Sequence, residues 1–208
     1  MDISNINALH ILVIIFAYLI GSVPFAIVVS KFMKISDPRT YGSGNPGATN
    51  VFRGGNKTAA ALTLLGDAIK GWIVVFLCSQ VFRQPELITA LVALAVLLGH
   101  IFPIFLKFKG GKGVATAVGV LFALSWQVAT ASLLVWICVF AIFKISSLAA
   151  IVAAVAAPVF AFIFIPTEKS IYSFAICIIA ILVIWRHKSN ISRLLSGEEF
   201  KLKQDKTK

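Results

Sequence analysis

Six long apolar runs constrain this chain more than any other feature. They cover roughly residues 7–30, 57–82, 86–106, 114–143, 148–165 and 170–186. A helix needs about 20 apolar residues to cross a bilayer core. The chain has 208 residues, of which 59% are hydrophobic and 13% charged, and its mean hydropathy is +0.95. Because this composition cannot cover a water-soluble surface, the sequence predicts an all-α polytopic membrane protein and excludes a soluble or disordered chain.

The run 114–143 decides between six and seven spans. It is long for one helix and short for two, and the Ser-Trp-Gln sequence at 125–127 is typical of an interfacial turn. With seven spans and the N-terminus outside, sixteen of the nineteen Lys and Arg lie in cytoplasmic segments, Arg83 and Lys169 lie outside, and Lys70 lies within a span. Six spans would place seven cations of the C-terminal tail outside. Because cytoplasmic loops are enriched in Lys and Arg, we predict seven spans, with the C-terminus cytoplasmic.

The net charge of +11 agrees with this cytoplasmic bias, and anionic lipid or substrate is its second explanation. Nucleic acid is not an expected partner, because the basic runs lack interleaved aromatic residues. Cys78, Cys138 and Cys177 lie apart in apolar runs without metal-ligand spacing, so we expect no metal. Residues 1–10 contain no Lys or Arg, and the run from Leu9 to Val29 is long enough to span; we therefore expect no cleaved signal peptide.

Nine of the fourteen glycines lie outside the apolar runs, within the segments 42–55 and 110–113 and at Gly197. With seven spans, all three places face the cytoplasm. Non-helical backbone at membrane depth persists only where it is buried in protein or lines a cavity, and glycine-rich backbone can direct several N–H groups at one anion. The sequence therefore predicts one anion site on the cytoplasmic face.

The first segment combines glycines with polar side chains. Its pattern Gly42-x-Gly44-x-x-Gly47 formally matches the dinucleotide fingerprint, but that motif requires a preceding strand and a βαβ unit, so we reject it. An ordinary loop would explain the glycines. It would not explain why five hydrogen-bonding side chains come together, namely Ser43, Asn45, Thr49, Asn50 and Arg53.

The second segment places Lys109 and Lys112 among glycines before an apolar run. A nucleotide P-loop would have Gly where Leu106 stands, and Ser or Thr where Gly113 stands. The P-loop interpretation therefore fails twice. A glycine turn with two lysines at a helix N-terminus still makes a good anion site, and the alternative is that both lysines only anchor the cytoplasmic face.

Two further groups carry charge. His187, Asn190 and Arg193 share a face if residues 186–199 are helical; the alternative is a charged amphipathic tail. Asp67 and Lys70 lie three residues apart inside the second span, which predicts a buried pair. Such a pair marks either function or mutual neutralisation, and the sequence leaves both open.

Together these segments resemble the PlsY family of bacterial glycerol-3-phosphate acyltransferases, which use acyl phosphate as the donor. The matching sequences lie in order from residue 21 to residue 199, at 21–24, 43–50, 67–71, 99–103, 108–116 and 187–199. The match is weaker at 144–148, where the family usually has an aromatic residue before its serine. We assign that serine to Ser147, with Ser146 as the alternative.

The resemblance implies acyl transfer from acyl phosphate to the 1-hydroxyl of glycerol 3-phosphate, the first acylation of phospholipid synthesis, releasing lysophosphatidic acid and phosphate without a cofactor. It also implies a seven-helix enzyme of the bacterial inner membrane with its site facing the cytoplasm. The implied catalytic residues are Ser43, Asn45, Lys112, His187 and Asn190. The implied substrate-binding residues are Gly44, Gly47, Thr49, Asn50, Arg53, His100, Lys109, Gly110, Gly111, Gly113, Ser147, Arg193 and Glu199.

Both substrates of this reaction carry phosphate, so two anion sites must lie close together. We expect the acceptor phosphate to bind Arg53, Lys112, His187 and Asn190, and the donor phosphate to bind glycine N–H groups with Ser43 and Asn45. The acyl chain needs an apolar groove at the membrane edge. We expect a single domain over 1–208 with a basic cytoplasmic tail at 199–208; the oligomeric state stays open, and a monomer is compatible with the sequence.

The sequence lacks the usual machinery of acyl-thioester enzymes. Their His-x-x-x-x-Asp box is missing, because the residues five places after His10, His100 and His187 are Ile15, Phe105 and Ser192. No Ser-His-Asp or Cys-His set is evident. An acyl phosphate is already activated, so positioning and charge stabilisation can supply much of the acceleration, with the donor phosphate taking the hydroxyl proton. The competing hypothesis is a transporter or exchanger of a phosphorylated metabolite, which predicts access from both faces and usually internal repeats.

Overall fold

The computed structural model describes residues 6–199, and this part of the chain is helical without a β-strand. The helices are α1 (Ala8–Gly21), α2 (Phe25–Phe32), α3 (Ala48–Arg53), α4 (Lys57–Phe76), α5 (Glu86–Ile101), α6 (Val114–Leu124), α7 (Trp126–Phe143), α8 (Ser146–Phe164), α9 (Ser170–Arg186) and α10 (Lys188–Leu195). The all-α prediction is confirmed for these residues. The predicted basic tail lies outside them except for Glu199.

Within residues 6–199, five helical segments are long and apolar enough to cross a membrane: Lys57–Val81, Glu86–Leu106, Trp126–Phe143, Ser146–Phe164 and Thr167–Arg186. The pair α1 and α2 makes a sixth if both halves belong to one span. These segments agree with the predicted apolar runs, so the polytopic character is confirmed. The count of seven and the orientation of the termini stay predictions.

The predicted first span, residues 7–30, is not one straight helix. It is broken between α1 and α2, whose axes differ by 47°. The cause is Pro24, which has no N–H group to continue the hydrogen-bond ladder. The carbonyl of Val23 accepts instead from Nζ of Lys70 at 2.8 Å, so the exposed backbone at the break has a partner inside the protein.

The long run 114–143 is divided at Ser125, as predicted. Ser125 has an extended backbone, and its Oγ caps α7 by accepting from the N–H of Val128 at 3.4 Å. Trp126 and Gln127, predicted to share the turn, instead form the first turn of α7. Helix α6 has only 11 residues, or about 16 Å at 1.5 Å per residue, so it is shorter than the hydrocarbon core.

Glycines allow the central helices to approach closely. A Cβ atom on Gly21 of α1 would collide with the backbone of Val96 in α5, and one on Gly71 of α4 would collide with Thr116 in α6. Small residues at helix contacts are a general feature of membrane bundles, because packing rather than hydrophobicity drives helix association in lipid. The close contacts bring the interior of α4, the end of α5 and the start of α6 together beneath the glycine segments.

Candidate active site

The glycine segment before α6 is held from two sides. The N–H groups of Gly110 and Gly111 donate to the carbonyls of Ile101 and His100 at the end of α5, at 3.1 and 3.2 Å. The guanidinium of Arg186, at the end of α9, donates to the carbonyls of Gly110 at 3.0 Å and Gly111 at 3.2 Å. Sequence reasoning missed Arg186 as a positioning residue. The available signal was a cation at a helix end, directly before His187.

Lys112 emerges from this segment into a polar cluster. Its Nζ donates to Oδ1 of Asn190 in α10 at 2.6 Å, so this bond links the glycine segment to α10. The pKa of Lys112 is lowered to about 8, chiefly by burial; the charge of Glu199 opposes the shift, and the charges of Arg193, Arg53 and Arg186 add to it. A lysine with this pKa carries its charge at neutral pH in a partly desolvated place, where it attracts anions strongly.

Glu199 joins three side chains of the predicted site. Its Oε1 accepts from Oγ of Ser147 at 2.6 Å and from Nδ2 of Asn190 at 2.7 Å, while its Oε2 accepts from Nε of Arg193 at 2.7 Å. Burial raises the pKa of Glu199, but these hydrogen bonds and the charge of Arg193 hold it below its usual value. The carboxylate is therefore ionised at neutral pH and links α8 to α10. The predicted helix is confirmed for Asn190 and Arg193, which lie three residues apart on α10, but it covers only Lys188–Leu195; His187, predicted to share their face, lies at the junction of α9 and α10.

His187 lies beside this cluster and is 2% exposed. Its Nδ1 is 2.7 Å from the carbonyl oxygen of Val183. A carbonyl only accepts, so Nδ1 carries the proton and Nε2 is an acceptor. The pKa of His187 is lowered to about 4, chiefly by burial; the charges of Lys112 and Arg186 act in the same direction, while the hydrogen bond to Val183 and the charge of Glu199 oppose them. The imidazole is therefore neutral at pH 7 and a weak base.

The first glycine segment is organised around Asn50, which is 2% exposed. Its Nδ2 donates to the carbonyls of Pro38 at 2.6 Å and Tyr41 at 3.1 Å, and its Oδ1 accepts from the N–H of Ser43 at 3.0 Å. Asn50 therefore holds the loop from inside. Gly42 makes this possible, because its φ is +58° and a Cβ there would collide with Oδ1 of Asn50.

Two further residues of the first segment, Thr49 and Arg53, are linked to the elements around Lys112. Thr49 Oγ1 lies 3.3 Å from Oγ of Ser146, which joins the segment to α8. Arg53 is close enough for its charge to act on Lys112. Ser43 and Gly44 are exposed, while Asn45 and Gly47 are half-buried. The two serines left open by the sequence therefore have separate partners: Thr49 for Ser146, and Glu199 for Ser147.

Lys109 and His100 stand apart from the Lys112 cluster. Lys109 is exposed. His100 is 8% exposed and lies under Gly111, where its Nδ1 is 3.4 Å from Oδ1 of Asp67 and 3.1 Å from Oγ1 of Thr116. A substrate-binding role for either residue stays a prediction.

The predicted pair inside the second span is confirmed. Nζ of Lys70 lies 2.7 Å from Oδ1 of Asp67, and both side chains are 3% exposed. His100, on another helix, adds a third polar group to this pair. The spacing of Asp67 and Lys70 could not predict this contact. The pair is thus enclosed within the bundle, below the glycine segment.

The Lys112 cluster suits anion binding. The charges of Arg53, Arg186 and Arg193 act on Lys112 in a partly buried place, where Glu199 is the carboxylate that opposes them. The excess of cations favours negatively charged oxygen atoms. The N–H groups of Gly44, Gly47, Gly110 and Gly111, expected to bind the donor phosphate, instead donate to backbone carbonyls of the chain. A neutral histidine beside them supplies a hydrogen-bond acceptor without adding charge.

Comparison with known proteins finds glycerol-3-phosphate acyltransferases that are similar to nearly the whole chain. Residues 11–197 match the family model described as glycerol-3-phosphate acyltransferase. A protein of that name from Burkholderia thailandensis is 54% identical over 191 residues, which cover 92% of this chain and 95% of the relative. Another of the same name, from Burkholderia ambifaria, is 53% identical over 186 residues, with 89% and 87% covered.

Two solved structures have the same fold. One is the crystal structure of PlsY, an integral membrane glycerol 3-phosphate acyltransferase, in its glycerol 3-phosphate form; it is 42% identical, with a TM-score of 0.85 over 92% of this chain and 94% of that one. The other, a lysophosphatidic acid form of PlsY, is 41% identical with a TM-score of 0.84 and the same coverage. This chain therefore belongs to the glycerol-3-phosphate acyltransferase family of integral membrane proteins represented by PlsY.

Proposed function

We propose that this enzyme acylates glycerol 3-phosphate with acyl phosphate as the donor, giving lysophosphatidic acid and inorganic phosphate. The observation that carries the proposal is the partly buried Lys112, hydrogen-bonded to Asn190 and surrounded by three arginines and a neutral histidine. A reaction between two phosphate-bearing substrates needs this excess of positive charge in one place. The catalytic set is Ser43, Asn45, Lys112, His187 and Asn190.

The reaction is a direct displacement. The 1-hydroxyl oxygen of glycerol 3-phosphate attacks the acyl carbonyl carbon and forms the ester C–O bond, while the bond from that carbon to the phosphate oxygen breaks. The hydroxyl proton goes to the leaving phosphate. The low pKa of His187, about 4, favours this route, because a neutral imidazole of that pKa orients a hydroxyl through Nε2 better than it removes its proton.

Charge stabilisation supplies the remaining acceleration. Negative charge grows on the phosphate oxygen that leaves, and the charge of Lys112 can offset it in a partly desolvated site. Arg53, Arg193 and Asn190 hold the phosphate of the acceptor. Glu199 keeps Ser147, Asn190 and Arg193 in place through its three hydrogen bonds.

We further propose seven spans in the bacterial inner membrane, with the N-terminus outside and the three polar segments at the cytoplasmic face. The bias of Lys and Arg toward the proposed cytoplasmic side supports this arrangement. Single cysteines introduced near Ser43, Lys109 and Asn190 should react with an impermeant reagent from the cytoplasm, and those near Gln84 and Thr167 from outside. Labelling near Asn190 from outside would overturn the arrangement.

The donor is tested with purified enzyme. Phosphate should be released from a long-chain acyl phosphate only when glycerol 3-phosphate is present, with one lysophosphatidic acid formed per phosphate. The same enzyme should not turn over acyl-CoA that is free of acyl phosphate, because the acyl carbon of a thioester carries sulfur and not the phosphate that the basic cluster would bind. Robust turnover with acyl-CoA would contradict the proposed donor, and uptake of a phosphorylated metabolite without acylation would favour a transporter.

A further inference from the structure

We propose that His100 is a positioning residue, which supports the glycine segment before α6 from inside the bundle and thereby fixes the place of Lys112. The inference rests on the catalytic role proposed above for Lys112. It gives His100 a task beneath the site, in place of the substrate contact that the family resemblance implies. His100 is 8% exposed and is the second-last residue of α5.

Both the backbone and the ring of His100 contact the glycine segment. The carbonyl of His100 accepts from the N–H of Gly111 at 3.2 Å. A Cβ on Gly110 would collide with this carbonyl, and a Cβ on Gly111 would collide with Nε2 of the imidazole. Because Gly111 directly precedes Lys112, the ring supports the backbone from which the Lys112 side chain begins.

The imidazole is held at its other nitrogen. Nδ1 of His100 lies 3.1 Å from Oγ1 of Thr116 and 3.4 Å from Oδ1 of Asp67. Asp67 is paired with Lys70 at 2.7 Å, and a carboxylate only accepts hydrogen bonds, so Nδ1 carries the proton and Nε2, which faces Gly111, does not. Thr116 is 0% exposed and lies in α6. The orientation of the ring is therefore set from α4 and from α6.

The glycine segment thus has three supports. Its N–H groups bond the end of α5, its carbonyls bond Arg186, and Gly111 lies on the His100 ring. A lysine has a flexible four-carbon stem, so its Nζ is placed accurately only if its backbone is fixed. A misplacement of about 1 Å can cost about 100-fold in rate. An apolar side chain could fill the space under Gly111, but it would lack the Nδ1 contacts that hold the ring at one angle.

The test removes the support in two steps. His100→Ala removes the ring, while Thr116→Val removes only the hydroxyl that contacts it. Thr89→Val is the matched control, since Thr89 is also 0% exposed but lies eleven positions before His100 on α5 and contacts Sγ of Cys78 at 3.7 Å. Thermal unfolding in detergent reports whether each variant is folded. His100→Ala should also lower the unfolding midpoint, so stability alone does not decide.

The first measurement is kcat for acylation of glycerol 3-phosphate, with and without Lys112→Ala in the same chain. His100→Ala should lower kcat about 10- to 100-fold, and Thr116→Val about fivefold, as for one lost buried hydrogen bond. Thr89→Val should change kcat less than about twofold. Combined with Lys112→Ala, the changes at His100 and Thr116 should lower the residual rate less than about twofold, because they act through a side chain that is already gone.

The second measurement needs no acyl donor. The rate at which an amine-reactive reagent modifies Lys112, followed by mass spectrometry as a function of pH, gives the pKa of this lysine. In the unsubstituted enzyme the pKa should be about 8, chiefly because of burial. In His100→Ala and Thr116→Val it should move up toward the ordinary lysine value, because a displaced side chain is better solvated. The titratable groups around Lys112 are unchanged in both variants: Arg53, Arg186, His187, Arg193 and Glu199.

Two failures can be told apart. If His100→Ala and Thr116→Val lower the rate by the same factor with and without Lys112, and leave its pKa at about 8, His100 is an ordinary core residue and this inference is wrong. If the unsubstituted enzyme uses no acyl phosphate, the proposed donor is wrong, while the pKa of Lys112 in the variants still decides the role of His100. If His100→Ala does not fold, Thr116→Val decides alone.

Discussion

Two charged clusters in this molecule contain similar groups and differ in balance. In the interior, Asp67 and Lys70 lie 2.7 Å apart, each 3% exposed, with His100 beside them. At the helix ends, Lys112 and Arg193 share one carboxylate, Glu199, with further arginines nearby. The first cluster satisfies its own charges, while the second keeps an excess of positive charge. Both clusters bury charge, so burial alone does not indicate a ligand site. The excess of positive charge in the second cluster does.

The difference extends to the neighbours of each lysine. The interior Lys70 also bonds the carbonyl of Val23 at the break between α1 and α2, and its partners belong to the packed bundle. The outer Lys112 bonds an amide, Asn190, which can give up its contact to a phosphate oxygen without leaving a buried charge unpaired. We therefore expect substitutions in the first cluster to reduce stability and those in the second to reduce catalysis.

The largest effect is expected for Asp67→Ala. Removing one partner of a buried ion pair leaves Lys70 uncompensated and costs about 3–5 kcal/mol of folding free energy. The measurement is unfolding in detergent, compared with the unsubstituted protein. The double change Asp67→Leu with Lys70→Met is the comparison. It leaves no unpaired buried charge and should therefore cost less than the single change, although it also removes the Lys70 hydrogen bond to the Val23 carbonyl. Equal losses of folding free energy in the single and double variants would contradict the view that the charge balance of the pair determines its contribution to stability.

Next in size is Lys112→Ala. It should lower the rate roughly 30- to 1,000-fold, because loss of a preorganised charge-stabilising group costs about 2–4 kcal/mol in the transition state. The unfolding midpoint should change little, since Asn190 keeps its bond to Glu199. Lys112→Arg should rescue poorly, because its bulky planar group does not fit beside the glycines. Near-normal turnover with an unchanged KM for glycerol 3-phosphate would show that Lys112 only anchors the protein at the membrane surface.

A smaller effect comes from pH. The pKa of Lys112 is about 8, so kcat/KM for glycerol 3-phosphate should fall above pH 8, by about tenfold per pH unit. Lys112→Arg should lack this decline, since arginine keeps its charge. The free energy of unfolding should instead rise with pH, from about pH 8 up to the ordinary lysine pKa. In this range Lys112 is deprotonated in the folded protein but still protonated in the unfolded chain, so raising the pH favours the folded state. A profile that is flat to pH 10 would contradict the shifted pKa.

The smallest effect is expected for Lys109→Ala. Lys109 belongs to the same glycine segment as Lys112, but it is exposed. Surface substitutions away from a partner change free energies little, so the rate should change about twofold or less. Assays of Lys109→Ala and Lys112→Ala side by side distinguish the general effect of removing a positive charge from this segment from the specific effect of removing the Lys112 side chain. A loss as large as that of Lys112→Ala would show that both lysines act on a substrate.

Much of this fold follows from local sequence. Apolar runs predicted the long helices, Ser125 marked the division between α6 and α7, and the three-residue spacing of Asp67 and Lys70 predicted their contact. The break at Pro24 had a signal, since a proline stood within an apolar run, but hydropathy alone concealed it.

The site's internal contacts could not be predicted in the same way. Arg186 bonds the carbonyls of residues 75 and 76 positions away, and Glu199 bonds Ser147 from 52 positions away. These contacts depend on how α8, α9 and α10 pack, which no local pattern encodes. Family resemblance identified Glu199, and the structure shows that its described contacts are to other side chains of the protein.

The spacing of Asp67 and Lys70 also bears on how the chain enters the membrane. The two residues lie ten and thirteen positions after the start of α4, about 15–20 Å into the helix. Because they belong to one turn of one helix, they can neutralise each other as soon as α4 forms, before any other helix is in place. The same charges on separate helices would each have to enter the bilayer unpaired, at about 2.5–3.5 kcal/mol apiece. Helix α4 therefore contains both charges of the pair when it inserts into the bilayer. His100 can contact the pair only after α5 packs against α4.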